Sequence, residues 1–258
     1  MQQPENRNTG KNVYFISDLH LGATYLQHPR EYENRVVNFL ESIADNAAEL
    51  YLMGDILDYW YEYRTVVPRG HIRFFGTLAR LADRGVKIHW FIGNHDIWLF
   101  DYLSTEIGLE IVDGWQIKTI GNHKFFLSHG DGVGKLPVSF RMLRATFRNR
   151  FCQKLYSAIH PRWTIPFALR WSNSSRDFSA EIPVCNNPGQ EPLVKFAESY
   201  LETDPDINYF IFGHRHIVID HHIRPGHEVI ILGDWIHHFS YAVYNGKNIE
   251  ICRFCANQ

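Results

Sequence analysis

Cysteine is scarce: the four present, Cys152, Cys185, Cys252 and Cys255, form no paired framework, which excludes a disulfide scaffold and leaves reduced thiols as the expectation. Cys252-x-x-Cys255 is a single pair at the end of a strand-like stretch, with no second pair to complete a zinc site. No run approaches the roughly 18 apolar residues of a membrane span, and the polar start from Met1 to Lys11 lacks the apolar core of a secretory signal. A cytoplasmic location is therefore expected. The chain also lacks internal repeats and low-complexity segments, and its formal net charge of -2 gives no strong preference for a class of partner. One stretch is missing charge of one sign altogether: Gly132 to Arg176 has no Asp or Glu but nine cations, so the rest of the chain has 17 basic against 28 acidic residues. A strongly basic insert sits on an acidic body.

Hydrophobic residues at 45% and aromatics at 15% of 258 residues suffice for a sizeable core. Residues 1–11 are polar and expected to be disordered, leaving 12–258 as an α/β domain with the basic insert at about 132–180. The run Leu50-Tyr51-Leu52-Met53 leads into Gly54-Asp55-Ile56-Leu57-Asp58. A strand that ends in glycine and then presents a carboxylate puts that carboxylate at the carboxyl edge of a sheet, where ligand sites of α/β folds gather. Four other strand-like runs end alike. Val13–Ser17 leads into Asp18-Leu19-His20, Ile88–Ile92 into Gly93-Asn94-His95-Asp96, Phe125–Ser128 into His129-Gly130-Asp131, and Tyr209–Phe212 into Gly213-His214-Arg215-His216. Apolar spacing predicts helices over 31–46, 70–84, 97–107 and 188–202, and turn residues divide 207–254 into four or five strands. Within the insert, Phe140, Leu143, Phe147, Phe151 and Leu155 form one apolar helical stripe flanked by Arg141, Arg144 and Arg148. Such a helix can lie on an anionic membrane surface or pack on the body.

Asp, Asn and His supply oxygen and imidazole donors that suit manganese, iron or zinc, and 15 histidines are a further hint of metal chemistry. Asp18 and His20 are alternate residues of an extended segment and can hold one ion together; His214 and His216 repeat the spacing. A carboxylate between them, Asp55, can bridge two ions.

Asp-x-His, Gly-Asp-x-x-Asp, Gly-Asn-His-Asp, His-Gly-Asp and Gly-His-x-His, in this order from Asp18 to His216, resemble the calcineurin-like metallophosphoesterases. The resemblance implies a four-layered α/β/β/α sandwich and two divalent ions, manganese foremost. Asp18, His20 and His216 would hold one ion and Asn94, His129 and His214 the other, with Asp55 bridging. Asn94 and His214 would also touch the substrate phosphate. His95 would act as proton donor or charge stabiliser, oriented by Asp58. Asp96 and Asp131 are expected to brace loops. The insert and the aromatic ending Tyr59-Trp60 resemble one branch, which cleaves the diphosphate of UDP-2,3-diacylglucosamine to UMP and a diacylated sugar phosphate in lipid A synthesis. That branch works at the inner membrane surface, peripherally bound, on a lipid-linked nucleotide. Ser172 and Arg176 would then contact the diphosphate or nucleotide, and no nucleic acid partner is expected. The best-known members of that branch have Gly-Asn-Arg-Asp where this chain has Gly-Asn-His-Asp, the form general to the family. Competing readings are another phosphodiester or nucleotide as substrate, a nuclease, and a scaffold without activity.

Overall fold

The computed structural model describes residues 11–174 and 185–255, and the backbone alone for 171–174. Strand and helix alternate first: β1 (Asn12–Ile16), α1 (Pro29–Ile43), β2 (Ala47–Leu52), α2 (Ile72–Asp83), β3 (Lys87–Phe91), α3 (Tyr102–Ile107) and β4 (Glu110–Val112). Two hairpin strands follow, β5 (Trp115–Ile120) and β6 (His123–Ser128), and then the insert's helices α4 (Val138–Arg148), α5 (Arg150–Ser157) and α6 (Pro161–Ser174). Helix α7 (Pro192–Tyr200) leads to the closing strands β7 (Tyr209–Phe212), β8 (Val218–Arg224), β9 (His227–Leu232), β10 (Ser240–Tyr244) and β11 (Ile249–Arg253).

These strands make two sheets, β11-β10-β1-β2-β3-β4 and β5-β6-β7-β9-β8. Side chains alternate across each strand and so serve two cores. Val13, Phe15, Tyr51 and Phe91 of the first sheet face Phe125, Leu127, Ile211 and Ile230 of the second. Tyr14, Ile16, Leu50 and Leu52 turn outward to meet Val36, Phe39, Leu40, Phe74 and Leu78 of α1 and α2. Phe126, Phe210 and Phe212 meet Leu193, Val194 and Ala197 of α7. The layering is α/β/β/α. Lys118 on β5 reaches across to Glu49 on β2, 3.3 Å away, and ties one sheet to the other at an edge. The four cysteines form no disulfide.

Three expected helices are shorter or divided. Helix α3 begins at Tyr102 rather than Ile97, where Glu62 Oε2 accepts from the amides of Phe100, Asp101 and Tyr102 at 2.7, 2.9 and 3.2 Å and so satisfies the free amides at the helix start. The helix expected over 188–202 is a 3-10 turn, Pro188–Gln190, and then α7, which restarts at Pro192, a residue with no amide to continue a ladder. The expected single stripe from Phe140 to Leu155 breaks at Asn149, whose side chain accepts from the amides of Phe151 and Cys152 and caps α5. The expected disorder of the chain's first ten residues and the role given to Arg176 fall outside the described residues, as does the side chain of Ser172.

Candidate metal centre

The loops that follow β1, β2, β3, β6 and β7 at their carboxyl ends bring Asp18, His20, Asp55, Asn94, His129, His214 and His216 to one place. Strained backbone aims most of them. Among the described residues, seven non-glycine positions have φ in the left-handed region, and five are Asp18, His20, Asp55, His214 and His216. Each such residue costs of order 1–3 kcal/mol and persists only where its surroundings over-determine it. Here the surroundings do: the Asp18 and His20 amides donate to the carbonyls of Gly54 and Asp55 at 3.1 and 3.0 Å, and the Gly213 amide to that of His129 at 2.9 Å. Two glycines make room. A Cβ on Gly54 would stand 2.5 Å from His129 Nδ1, and one on Gly93 would overlap the Asp55 carboxylate.

Each carboxylate in this cradle has one oxygen committed to backbone and the other turned to imidazoles. Asp55 Oδ1 accepts from the His95 amide at 2.8 Å, while Oδ2 lies 3.4 Å from His129 Nε2 and 3.8 Å from His20 Nε2. Asp18 Oδ2 accepts from the His214 amide at 2.9 Å, while Oδ1 lies 3.4 Å from His216 Nε2 and 3.8 Å from His20 Nε2. The far nitrogens are engaged as well. His129 Nδ1 donates to the Met53 carbonyl at 2.8 Å, His216 Nδ1 faces Asp234 Oδ2 at 3.2 Å, and His20 Nδ1 faces Asp58 Oδ1 at 3.4 Å. With Nδ1 occupied, Nε2 is the nitrogen left to act as a ligand.

Two donor groups, Asp18-His20-His216 and Asp55-His129-His214, each have their atoms within 4.8 Å of one another, and His20, Asp55 and His95 form a third that overlaps both. Asn94 Oδ1, 3.3 Å from His129 Nε2, extends the second, and Asp55 Oδ2 lies between the two. This donor set fits divalent cations. Asp18 Oδ1 is fully buried and accepts no hydrogen bond, a costly position for a carboxylate oxygen that contact with a cation would relieve. The protein's own charges show the same pressure. Burial opposes a charged His129, yet Asp55 beside it wins and holds the imidazole well above its ordinary range. Burial would raise Asp55, but His129 and His95 hold it well below the usual carboxylate range. His214, buried and facing His129, is pushed down to about 4.

A family model for calcineurin-like phosphoesterases matches residues 11–218 of this chain. The chain belongs to the calcineurin-like phosphoesterases. It is 40% identical over 252 residues to the UDP-2,3-diacylglucosamine hydrolase of Porphyromonas gingivalis, a match covering 93% of this chain and 96% of the relative. It is 29% identical over 226 residues to the protein of the same name from Nitrosococcus oceani, covering 86% and 87%. A solved dimetal phosphatase from Danio rerio is 16% identical with a TM-score of 0.47, covering 94% of this chain and 95% of that one.

In this phosphoesterase Asp58 has two neighbours where the sequence suggested one. Its carboxylate lies 3.4 Å from His20 Nδ1 and 3.6 Å from His95 Nδ1, and the His95 ring nitrogen comes closer, 3.2 Å, to the Asp58 carbonyl. Asp96 braces loops, accepting from the Gly93 and Ile56 amides and from Trp90 Nε1. Burial, with Asp55 nearby, pushes its carboxyl up to about 6. Asp131 accepts from Arg144 Nε at 2.9 Å and so fastens α4 to the centre. Sequence reasoning passed over Asp234, which stands behind His216 and also accepts from the His237 and His238 amides. Gly233-Asp234 follows β9 as Gly54-Asp55 follows β2, so the rule that found Asp55 was available.

The centre opens onto a cavity of about 490 Å³. Asp58, Asn94 and His95 line one end, and Trp98, Phe140, Leu143, Phe147, Tyr156 and Phe167 make the rest largely apolar. An extended segment after β2 holds this wall: Tyr59, Tyr61 and Tyr63, alternate residues on one side, reach Tyr156 Oη, the Gln153 carbonyl and Thr164 Oγ1 at 3.0, 2.7 and 2.7 Å. Trp98 Nε1 donates to the Phe147 carbonyl at 3.0 Å, and Arg148 pairs with Asp113. The break at Asn149 therefore divides the stripe by function. Phe140, Leu143 and Phe147 face the cavity, whereas Phe151 and Leu155 are exposed, together with Val138, Met142 and Trp163. Of the flanking cations, Arg144 and Arg148 are tied to the body, and Arg141 faces solvent.

Proposed function

We propose that this chain hydrolyses the diphosphate of UDP-2,3-diacylglucosamine to UMP and 2,3-diacylglucosamine 1-phosphate, using two divalent cations, with manganese the best match and iron or zinc also compatible with the donors. One observation carries the reading: Asn94 and His95 line the same cavity as Phe140, Leu143 and Phe147. A substrate that fills it is a phosphoester at one end and a hydrocarbon at the other. The Porphyromonas gingivalis relative is a hydrolase of that compound.

In this reading Asp18, His20 and His216 would hold one cation and Asn94, His129 and His214 the other, with Asp55 Oδ2 facing both groups. Such ions, when bound, would polarise a phosphoryl group and lower the pKa of a water. The chain's own residues do the rest. The Asn94 amide and His214 orient the phosphoryl oxygens. His95, with Nδ1 directed at the Asp58 carbonyl and the Asp58 carboxylate 3.6 Å away, stabilises charge on those oxygens and gives a proton to the departing phosphate. Arg144, held by Asp131 at the cavity wall, sets a cation near the diphosphate. The apolar wall accepts acyl chains and excludes water.

The same insert suits peripheral attachment to the inner face of the membrane. No helix among the described residues is long and apolar enough to cross one. Val138, Met142, Phe151, Leu155 and Trp163 are exposed among the exposed Arg141, Arg150, Lys154 and Arg162, the composition of a surface that sits in an anionic headgroup layer.

The test is manganese-dependent hydrolysis of UDP-2,3-diacylglucosamine beside UDP-N-acetylglucosamine, with released UMP identified by mass. UMP from the acylated compound alone is expected. Equal release from both would overturn the lipid assignment, and release from neither, with a simple aryl diester still cleaved, would move the activity to another phosphodiester.

A further inference from the structure

The strand-end loops occupy one end of the sandwich. At the other, where β6, β7 and β9 begin, a cleft of about 450 Å³ lies between the two sheets and is bordered by β8 and β11, the edge strand of each. Alternation places Asp220 and His222 on one face of β8, and antiparallel register sets Glu228 of β9 directly opposite His222. One ligand atom from each of Asp220, His222 and Glu228 lies within 4.8 Å of the other two, with His222 Nδ1 3.8 Å from Glu228 Oε2. A hydrogen-bonded ladder holds these three, so their meeting does not depend on a loop.

The chemistry of the cleft points to a cation. Two carboxyl groups on adjacent strands of one face repel each other. A cation set between Asp220 and Glu228 would offset that repulsion. Two further histidines line the same cleft with one ring nitrogen already engaged: His227 Nδ1 donates to the Ile207 carbonyl at 2.6 Å, and His123 Nδ1 meets the Tyr244 hydroxyl at 2.7 Å. A backbone carbonyl on Nδ1 is the usual way a fold turns Nε2 toward a metal.

We propose that Asp220, His222 and Glu228 form a third cation site, separate from the phosphoesterase centre, that takes a borderline divalent ion, zinc in preference to manganese. One imidazole and two carboxylates give three protein ligands and leave a fourth position open to water, a set zinc accepts in tetrahedral geometry. Zinc also stands above manganese in affinity for nitrogen and oxygen donors. The ion clasps β8 to β9 at an exposed sheet edge, where pairing is least protected. None of the three ligands belongs to the centre that cleaves the phosphoester, and the inference does not depend on the substrate.

The experiment is a count of ions. The full chain is stripped with a chelator, dialysed against zinc alone and analysed for zinc per chain, as wild type and as the His222→Ala and Asp220→Asn variants. Wild type is expected to hold one zinc more than either variant, with hydrolysis of an aryl diester unchanged in both. Cobalt in place of zinc is expected to give a visible tetrahedral absorption band that is weaker in both variants. A zinc count in either variant equal to that of wild type overturns the assignment.

Discussion

The strand-end cradle and the helical insert meet in one cavity but are held in different ways. In the cradle, Asp18 and Asp55 are each fixed by left-handed backbone and by a hydrogen bond to a carboxylate oxygen, and His20, His129 and His216 have their second nitrogen engaged. In the insert, three short helices rest on the body through tyrosine hydroxyls, one indole and two ion pairs, and leave large apolar side chains in solvent. A bond-breaking centre needs donors held to a fraction of an ångström. A surface that takes hydrocarbon chains needs only shape and apolar area, because burial is non-directional. On the proposed function, the cradle serves the chemistry and the insert the choice of substrate.

Breaking the cradle at its middle should have the largest effect. Asp55→Ala is expected to lower turnover of any phosphodiester by at least about 10³-fold and to lower the metal content per chain, read by elemental analysis beside circular dichroism as a check of folding. Turnover near wild type would contradict the assignment of Asp55 Oδ2 to both cations. A smaller effect should follow one layer out. Asp234→Asn keeps the shape but removes the charge behind His216, and metal affinity, measured by titration into the stripped protein, should fall about 10–100-fold. Unchanged affinity would mean that His216 is oriented by the backbone alone. The smallest effect belongs to the exposed half of the insert. Phe151→Ser with Leu155→Ser should weaken binding to vesicles containing anionic lipid several-fold, about 1 kcal/mol or more, and leave hydrolysis of a soluble aryl diester as it was. Loss of that hydrolysis would put Phe151 and Leu155 in the cavity wall rather than on the surface.

What the sequence made legible follows from the distance between cause and effect along the chain. Each ligand of the proposed two-metal centre stands within four residues of a strand end, so short, nearly continuous apolar runs locate it without knowledge of the fold. The layering was legible for a similar reason: Val36, Leu40, Phe74 and Leu78 keep helical spacing on the faces they bury. Start and stop positions were harder where the deciding partner is remote. Glu62 satisfies the amides at the start of α3 from some 40 positions upstream. The division of the insert was hidden for the opposite reason. Periodicity runs unbroken through Asn149, and only the capping of α5 by that side chain separates cavity-facing Phe147 from solvent-facing Phe151. The cavity itself, and the turn of Tyr59, Tyr61 and Tyr63 toward the insert, arise from packing between segments about 100 residues apart.

The most direct test of the division between cradle and insert is Phe147→Ser, a change inside the cavity that touches none of the proposed ligands. The quantity to measure is the ratio of kcat/KM for UDP-2,3-diacylglucosamine to that for a soluble aryl diester, in wild type and variant under manganese. Losing a half-buried aromatic ring from the proposed acyl wall should lower that ratio by about 10-fold or more while leaving the aryl diester rate within about twofold. Equal loss on both substrates would make Phe147 part of the structural core, and the insert would then have no part in choosing the substrate.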